Sequence, residues 1–379
     1  MTPGSDARPP RIVTPMPDPV PWVQRMGAYA PPEDLEVVAA RADRSTDEVI
    51  KLDANENPYG PSDRVRQALT SFDGFHVYPD PDQRELRQSL ASYAGVEPDR
   101  LILGNGSDEL IDLLCRVYLG PGDEAIDCTP TFGMYRFSTE LAGGCAVEVP
   151  RDTSWNVDPD AVRRAITDRT RLIFIAAPNN PSGNLLSPEA LAALLETGCI
   201  VVLDEAYVEF SEQGSQARRV LEHENLVVIR TFSKWAGLAG LRVGYGVFPP
   251  GIAQHLWKVK PPFNVNRAAE VAVRATLGDV EPVLANVARI VQERDRMAEA
   301  LDEVRGIRAW PSEANFILIQ VLEGTGAELV DHLQRSGIAV RSYSHPRLSD
   351  AVRISVGRPS DTDAVTAALR RWEAREGAV

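Results

Sequence analysis

Lysine is nearly missing from this chain: there are four, against 36 arginines, in 379 residues. A side-chain amine is therefore available only at Lys51, Lys234, Lys258 or Lys260. Cysteine is scarce as well. Cys115, Cys128, Cys145 and Cys199 show no CxxC spacing and lie in or beside apolar helix or strand runs. They read as reduced core residues of a cytoplasmic protein, neither a disulfide framework nor a metal site. No apolar run approaches the roughly 20 residues that a membrane span requires. A net charge of −14 argues against nucleic acid or an anionic membrane as the main partner.

What is present is apolar bulk. A chain of this length that is 44% hydrophobic can bury a large core and is expected to divide into two domains. Nine prolines in the first 32 residues, with no apolar signal core, make residues 1–28 an extended arm. Short apolar runs then alternate with helical patterns. Strands are expected at 101–103, 124–127, 146–149, 172–176, 200–203, 226–229 and 243–247. Most are continuous rather than alternating, as in strands buried on both faces. Helical periodicity fills the gaps, as in Asp108 to Tyr118 with Leu110, Ile111, Leu114 and Val117 on one face. The pattern is that of an α/β domain with a mostly parallel, seven-stranded sheet. Beyond Pro261-Pro262 it changes to a helical stretch over 267–301 and strand-like runs at 315–321, 337–341 and 352–356. A smaller α+β domain is expected there. The expected division is residues 61–266 in the large domain, and 29–60 with 267–379 in the small one.

Three of the lysines are unremarked by their surroundings. Lys51 precedes a loop, and Lys258 and Lys260 flank a valine and read as surface charges. Lys234 differs, because it follows a β-run in Thr231-Phe232-Ser233-Lys234-Trp235-Ala236-Gly237 and precedes Arg242 by eight residues. A lysine held at a strand end among small apolar residues loses hydration, which favours the neutral amine and suits it to form a Schiff base. The hydroxyls of Thr231 and Ser233 and the guanidinium of Arg242 are what a phosphate beside that bond needs. Together they point to pyridoxal phosphate. A lone Ser-Lys after a strand is more often an ordinary loop, so the other strand ends decide the matter.

Ligands of open α/β sheets lie at the carboxyl ends of the strands. After the first strand comes Gly104-Asn105-Gly106-Ser107-Asp108-Glu109, where glycine permits close approach and a helix start offers free amides to an anion. Ser107 or Asp108 serves equally well there as a helix cap. After the second, Pro130-Thr131-Phe132 offers a ring to stack on a heterocycle or to fill the core. Pro178-Asn179-Asn180-Pro181-Ser182-Gly183 follows the fourth, its amides free for a ligand or for the turn alone. Asp204-Glu205-Ala206-Tyr207 follows the fifth. A carboxylate there needs a cationic partner, either a protonated pyridine nitrogen or an internal arginine.

Taken in order, Asn55-Glu56-Asn57-Pro58, Gly104 to Glu109, Pro178 to Gly183, Asp204 to Tyr207, Ser233-Lys234 and Val352-Arg353-Ile354-Ser355-Val356-Gly357 resemble the fold-type-I aminotransferases. More closely they are similar to histidinol-phosphate aminotransferases, over about Tyr29 to the C-terminus. The resemblance implies that Lys234 holds the cofactor and carries the proton between Cα and C4′. Asp204 would pair with the pyridinium nitrogen, and Tyr207 and Asn180 with the phenolic oxygen. Arg242, Ser233, Thr231 and the amides of Gly106 and Ser107, with Asp108 beside them, would hold the phosphate. Phe132 would stack on the ring. Tyr78 matches a tyrosine that reaches the partner subunit's phosphate, which implies a homodimer with shared sites. For substrate, the resemblance assigns Arg353 to a carboxylate or phosphate, Arg341 to the phosphate of histidinol phosphate, Tyr29 to a contact from the partner, and Asn57 to the pocket lining.

Two departures stand out. Trp235 precedes Ala236 where the family usually runs alanine and then an aromatic, and Phe132 replaces a common tyrosine. The expected activity is exchange of the amine of histidinol phosphate with 2-oxoglutarate in histidine biosynthesis. An aromatic amino-acid aminotransferase is the nearest rival, and a threonine-phosphate decarboxylase a second. A pyridoxal-phosphate-sensing regulator would need a DNA-binding module, for which the arm before Tyr29 is too short and too rich in proline.

Overall fold

The structure, a computed structural model, describes residues 16–28, 31 and 33–376. Its strands are β1 (Ile50–Lys51), β2 (Leu101–Gly104), β3 (Glu124–Asp127), β4 (Cys145–Glu148), β5 (Thr170–Ala176), β6 (Ile200–Asp204), β7 (Leu226–Thr231), β8 (Gly244–Val247), β9 (Ile307–Ala309), β10 (Phe316–Val321), β11 (Ile338–Ala339) and β12 (Ala351–Ser355). The seven expected strands form one sheet in the order β2-β8-β7-β6-β5-β3-β4. Only β8 runs against its neighbours. Their continuous apolar runs have a direct cause. Along β5, Ile173 and Ile175 join one apolar cluster, while Leu172, Phe174 and Ala176 join the cluster on the opposite face. Val201 and Leu203 are divided from Val202 in the same way along β6. A sheet covered on both sides has no polar face to alternate with.

The chain runs outward from β3 to β4, returns to β5 on the other flank of β3, and then continues to β8. That reversal places a crevice beyond the carboxyl ends of β3 and β5, with those of β6, β7 and β2 around it. The smaller sheet has the order β12-β10-β9, all antiparallel, over its own core of Ile317, Ile319, Val352, Ile354 and Leu369. β1 pairs in parallel with β11, so the segment leading to the 53–57 loop starts at the edge of the smaller unit.

Several expectations change. The stretch 267–301 is two helices, Arg267–Leu277 and Glu281–Asp302, broken at Gly278 and Asp279. Ala269, Ala272 and Val273 of the first helix pack with Leu86 and Leu90 in the large-sheet core, so packing does not change at residue 267. Lys260 is buried, not a surface charge: its ammonium donates to the carbonyls of Pro261 (2.9 Å) and Pro81 (3.3 Å). Cys145 is exposed, on an edge strand, whereas Cys115, Cys128 and Cys199 are buried; all four are free thiols. Within the arm, Pro21–Arg25 is a helical turn that docks Trp22 on Gly143 and donates its indole N–H to the Leu141 carbonyl at 3.1 Å. Among the described residues no helix is long and apolar enough to cross a membrane.

Candidate active site

A cavity of about 420 Å³ lies at the carboxyl ends of the parallel strands and is closed on one side by Arg353 of β12. It gathers most of the residues expected from sequence: Ser107, Asp108, Phe132, Asn180, Asp204, Tyr207, Thr231, Ser233, Lys234 and Arg242. Lys234 sits three residues past the end of β7, and its Nζ donates to the Ala54 carbonyl at 2.8 Å. Burial, reinforced by the nearby Arg353 guanidinium, pushes its ammonium down to about 8. A charged amine loses hydration here without gaining an ion pair, so a neutral nucleophile lies within reach of neutral pH.

Across the cavity, Asp204 ends β6 with each carboxylate oxygen held. Oδ2 accepts the Tyr135 hydroxyl at 2.7 Å, and Oδ1 accepts the Ala206 amide at 3.0 Å. Burial pushes its carboxyl up to about 6, with the Tyr135 bond opposing. Such a group is ready for a cation to enter beside it. Tyr207 accepts the Asn55 amide at 3.0 Å, and burial pushes its phenol up to about 12, so it stays a neutral donor. Asn180 accepts from Arg353 Nη1 at 2.6 Å.

An anion cradle forms where β2, β7 and β8 meet. Gly106 has φ +81°, and a Cβ there would lie 2.6 Å from Arg242 Nη2, so glycine is what lets the guanidinium come so close to the turn. The same nitrogen pairs with Asp108 at 2.8 Å, in the first turn of helix Ser107–Tyr118. Asp108 thus acts by orienting Arg242. The hydroxyls of Thr231 and Ser233 lie 3.0 Å apart on the neighbouring strand end. Helix-start amides, two hydroxyls and a guanidinium suit a phosphate. With an amine, a buried carboxylate and the Phe132 ring in the same lining, the donor set fits pyridoxal phosphate.

Three expected residues, Asn57, Tyr78 and Arg341, are not part of the cavity lining. Asn57 does not line the cavity; its amide donates to the Trp235 carbonyl at 2.7 Å and its oxygen accepts the Tyr59 amide. Tyr78 is 77% exposed and stacks on Phe263, away from its own cavity. Arg341 exchanges backbone hydrogen bonds with Arg353 (3.0 and 2.9 Å) across an isolated antiparallel bridge. Bridge partners project to the same side, which sets Arg341 beside the cavity wall with its guanidinium 5.8 Å from the Tyr343 ring. Tyr29 lies outside the described residues. Trp235 is fully buried and stacks on Tyr93 at 5.3 Å, so the indole after the lysine packs into the core and not into the site.

Two residues escaped the reading of the sequence. Tyr135 carries no motif, and its only signal is a position three residues beyond Phe132. Asn55 was part of a quoted tetrapeptide but received no role. It takes a left-handed φ of 54°, bonds Tyr207, and receives the Ser355 hydroxyl at 2.9 Å, linking the two sheets.

Residues 47–369 match the model of aminotransferase class I and II. The chain is 48% identical to the histidinol-phosphate aminotransferase of Dehalococcoides mccartyi strain BAV1, over 86% of this chain and 91% of that one. It is 46% identical to that of Roseiflexus castenholzii, over 92% and 96%. The chain therefore belongs to the class I and II aminotransferase family, within its histidinol-phosphate aminotransferases. A crystal structure of histidinol-phosphate aminotransferase from Sinorhizobium meliloti in complex with pyridoxal-5′-phosphate superposes with a TM-score of 0.86, at 26% identity, over 96% of this chain and 99% of that one. The expected fold is thereby the observed one, and the protein is an aminotransferase.

Proposed function

We propose that the protein transfers the amine of L-histidinol phosphate to 2-oxoglutarate, with pyridoxal phosphate held on Lys234. The observation that carries this reading is the backbone bridge that sets Arg341 next to Arg353, the arginine that lines the cavity with the desolvated Lys234. Two guanidinium groups side by side suit a dianionic phosphate, whereas one planar fork satisfies a carboxylate.

When bound, the cofactor supplies an electron-accepting ring that stabilises the charge left as the donor's Cα–H bond breaks. Asp204 would hold a proton on the ring nitrogen, and Tyr207 and Asn180 would donate to the phenolic oxygen. Arg242, Thr231, Ser233 and the helix-start amides would fix the phosphate, and Phe132 would stack on the ring. Lys234 Nζ, released by the incoming amine, would take the Cα proton and return it at C4′. 2-Oxoglutarate would then bring its carboxylate to Arg353.

A homodimer completes this reading. Tyr78, Phe75, Val77 and Phe263 form an exposed apolar patch outside their own cavity, which supports a contact with a second copy and its phosphate.

The test mixes the cofactor-loaded protein, without keto acid, with histidinol phosphate, phenylalanine or threonine phosphate separately. Conversion of the cofactor to its amine form by histidinol phosphate far faster than by phenylalanine is the expected result. Preference for phenylalanine would move the assignment to aromatic amino acids, and carbon dioxide release from threonine phosphate to a decarboxylase. Full activity of a dilute monomer would overturn the shared site.

A further inference from the structure

We propose that Tyr135 is a positioning residue, whose hydroxyl fixes Asp204 as the ionised, correctly turned partner of the cofactor's ring nitrogen. This rests on the reading of the site as a pyridoxal-phosphate site.

Tyr135 is the second residue of helix Met134–Leu141, is 1% exposed and lines the cavity with Asp204 and Phe132. Its ring is clamped: it stacks on Phe174 of β5 (5.0 Å between centroids, 3° between planes) and meets Phe132 edge-on (5.6 Å, 84°). The hydroxyl therefore points where the clamp aims it, at Asp204 Oδ2, 2.7 Å away. With Oδ1 committed to the Ala206 amide, both oxygens have fixed donors and the carboxylate cannot rotate freely. One side chain thus steadies both the ring expected to stack and the carboxylate expected to pair. Packing alone does not call for the oxygen, because phenylalanine would fill the same clamp.

The hydroxyl also governs charge. A buried carboxylate that loses a donor shifts toward its protonated form, and a protonated carboxyl cannot pair with a pyridinium. Other titratable groups facing Asp204 are Asp108 from the helix start, which opposes ionisation, Lys234 after β7, which favours it, and Tyr207 beyond β6. None of these donates a hydrogen bond to it, so Tyr135 is the side chain whose loss bears directly on the carboxylate.

The experiment titrates apoprotein, wild type and Tyr135→Phe, with pyridoxal phosphate and with an analogue whose ring nitrogen is replaced by C–H. Tyr135→Phe should bind pyridoxal phosphate roughly tenfold or more weakly, the value of a hydrogen bond to a charged group. It should bind the carbon analogue as wild type does. The pH below which pyridoxal phosphate binding fails should also move upward. Equal weakening for both ligands would show a structural role only, and unchanged binding of both would remove any role; either overturns the proposal. Asp204→Asn provides a second reading that does not depend on Tyr135→Phe folding. It should abolish the wild-type preference for the nitrogen-bearing ring, and a retained preference overturns the proposal too. Failure of wild-type apoprotein to bind pyridoxal phosphate at all would instead sink the proposed function.

Discussion

Arg341 and Arg353 face each other across a single antiparallel bridge, and the Tyr343 ring lies within 6.0 Å of both guanidinium carbons. Their charges differ in partners. Arg353 is buried, bonded to Asn180 and to the Asp53 carbonyl, and lines the cavity; Arg341, its bridge partner, is not part of the lining. Arg353→Ala should therefore raise KM for phosphorylated and carboxylate substrates alike, by about a hundredfold. Arg341→Ala should raise KM about tenfold for histidinol phosphate and leave 2-oxoglutarate unchanged. Steady-state kinetics with both substrates checks this, and an equal effect on both would remove the phosphate-specific role.

Lys234 should react with an aldehyde at a pH unusual for lysine. Since burial pushes its ammonium down to about 8, the rate at which apoprotein condenses with pyridoxal phosphate should level off above that pH. An ordinary amine would still be gaining rate at pH 10. In Lys234→Ala, borohydride should trap no cofactor on the protein. A trapped cofactor would place the attachment elsewhere.

Asp204 should cost the cofactor-free protein stability as it ionises. Its folded pKa, about 6, lies above the ordinary 3.8. Between those values the folded state binds more protons than the unfolded chain, so stability falls as pH rises through the window, by about 3 kcal/mol in full. Apoprotein Asp204→Asn should thus be more stable than wild type at pH 7 and closely matched at pH 4. Denaturant melts at the two pH values check the sign. The same variant should bind pyridoxal phosphate more weakly.

Gly106→Ala should damage the phosphate cradle. The added methyl would meet Arg242 Nη2 at 2.6 Å, on a backbone with φ +81°. Moving the guanidinium and straining the turn should weaken cofactor binding about tenfold or more and lower stability by about 1–2 kcal/mol. Equilibrium dialysis and thermal melts separate the two effects.

Asn57→Ala should behave as a loop variant. Its amide holds the Trp235 carbonyl beside the lysine and its oxygen holds the Tyr59 amide, both apart from the cavity lining. Stability should drop by about 1–3 kcal/mol, since a buried carbonyl loses its partner, while KM for either substrate stays within about twofold. A large rise in KM would return Asn57 to the substrate pocket.

The sheet was legible because its strands are apolar on both faces, and this leaves continuous runs bounded by turns. β1 and β9 were not, since two or three residues carry no period. The break between the two long helices hides in Gly278-Asp279, where a single glycine inside helical periodicity is ambiguous. The residues that line the cavity were legible because they sit at strand ends in fixed chain order. Tyr135 was not, because an aromatic in a helix gives no sign that its hydroxyl reaches a carboxylate 69 residues away. Lys260 misled for the opposite reason: its flanks look exposed, yet its ammonium satisfies loop carbonyls. Asn57 shows a third limit, since a side chain's direction at a turn depends on what the far chain presents.

The scarcity of lysine acquires a chemical meaning in this cavity. Its positive lining consists of Arg242 and Arg353, groups that attract anions but do not condense with carbonyl compounds. Lys51, the amine bonded to the wall residue Glu56, is kept protonated: burial opposes its charge, but Glu56 and Asp53 together raise its pKa. Among the described residues, an aldehyde or keto acid entering the cleft therefore meets one reactive nitrogen in the lining, Lys234. The pocket sorts electrophiles by leaving them a single place to react.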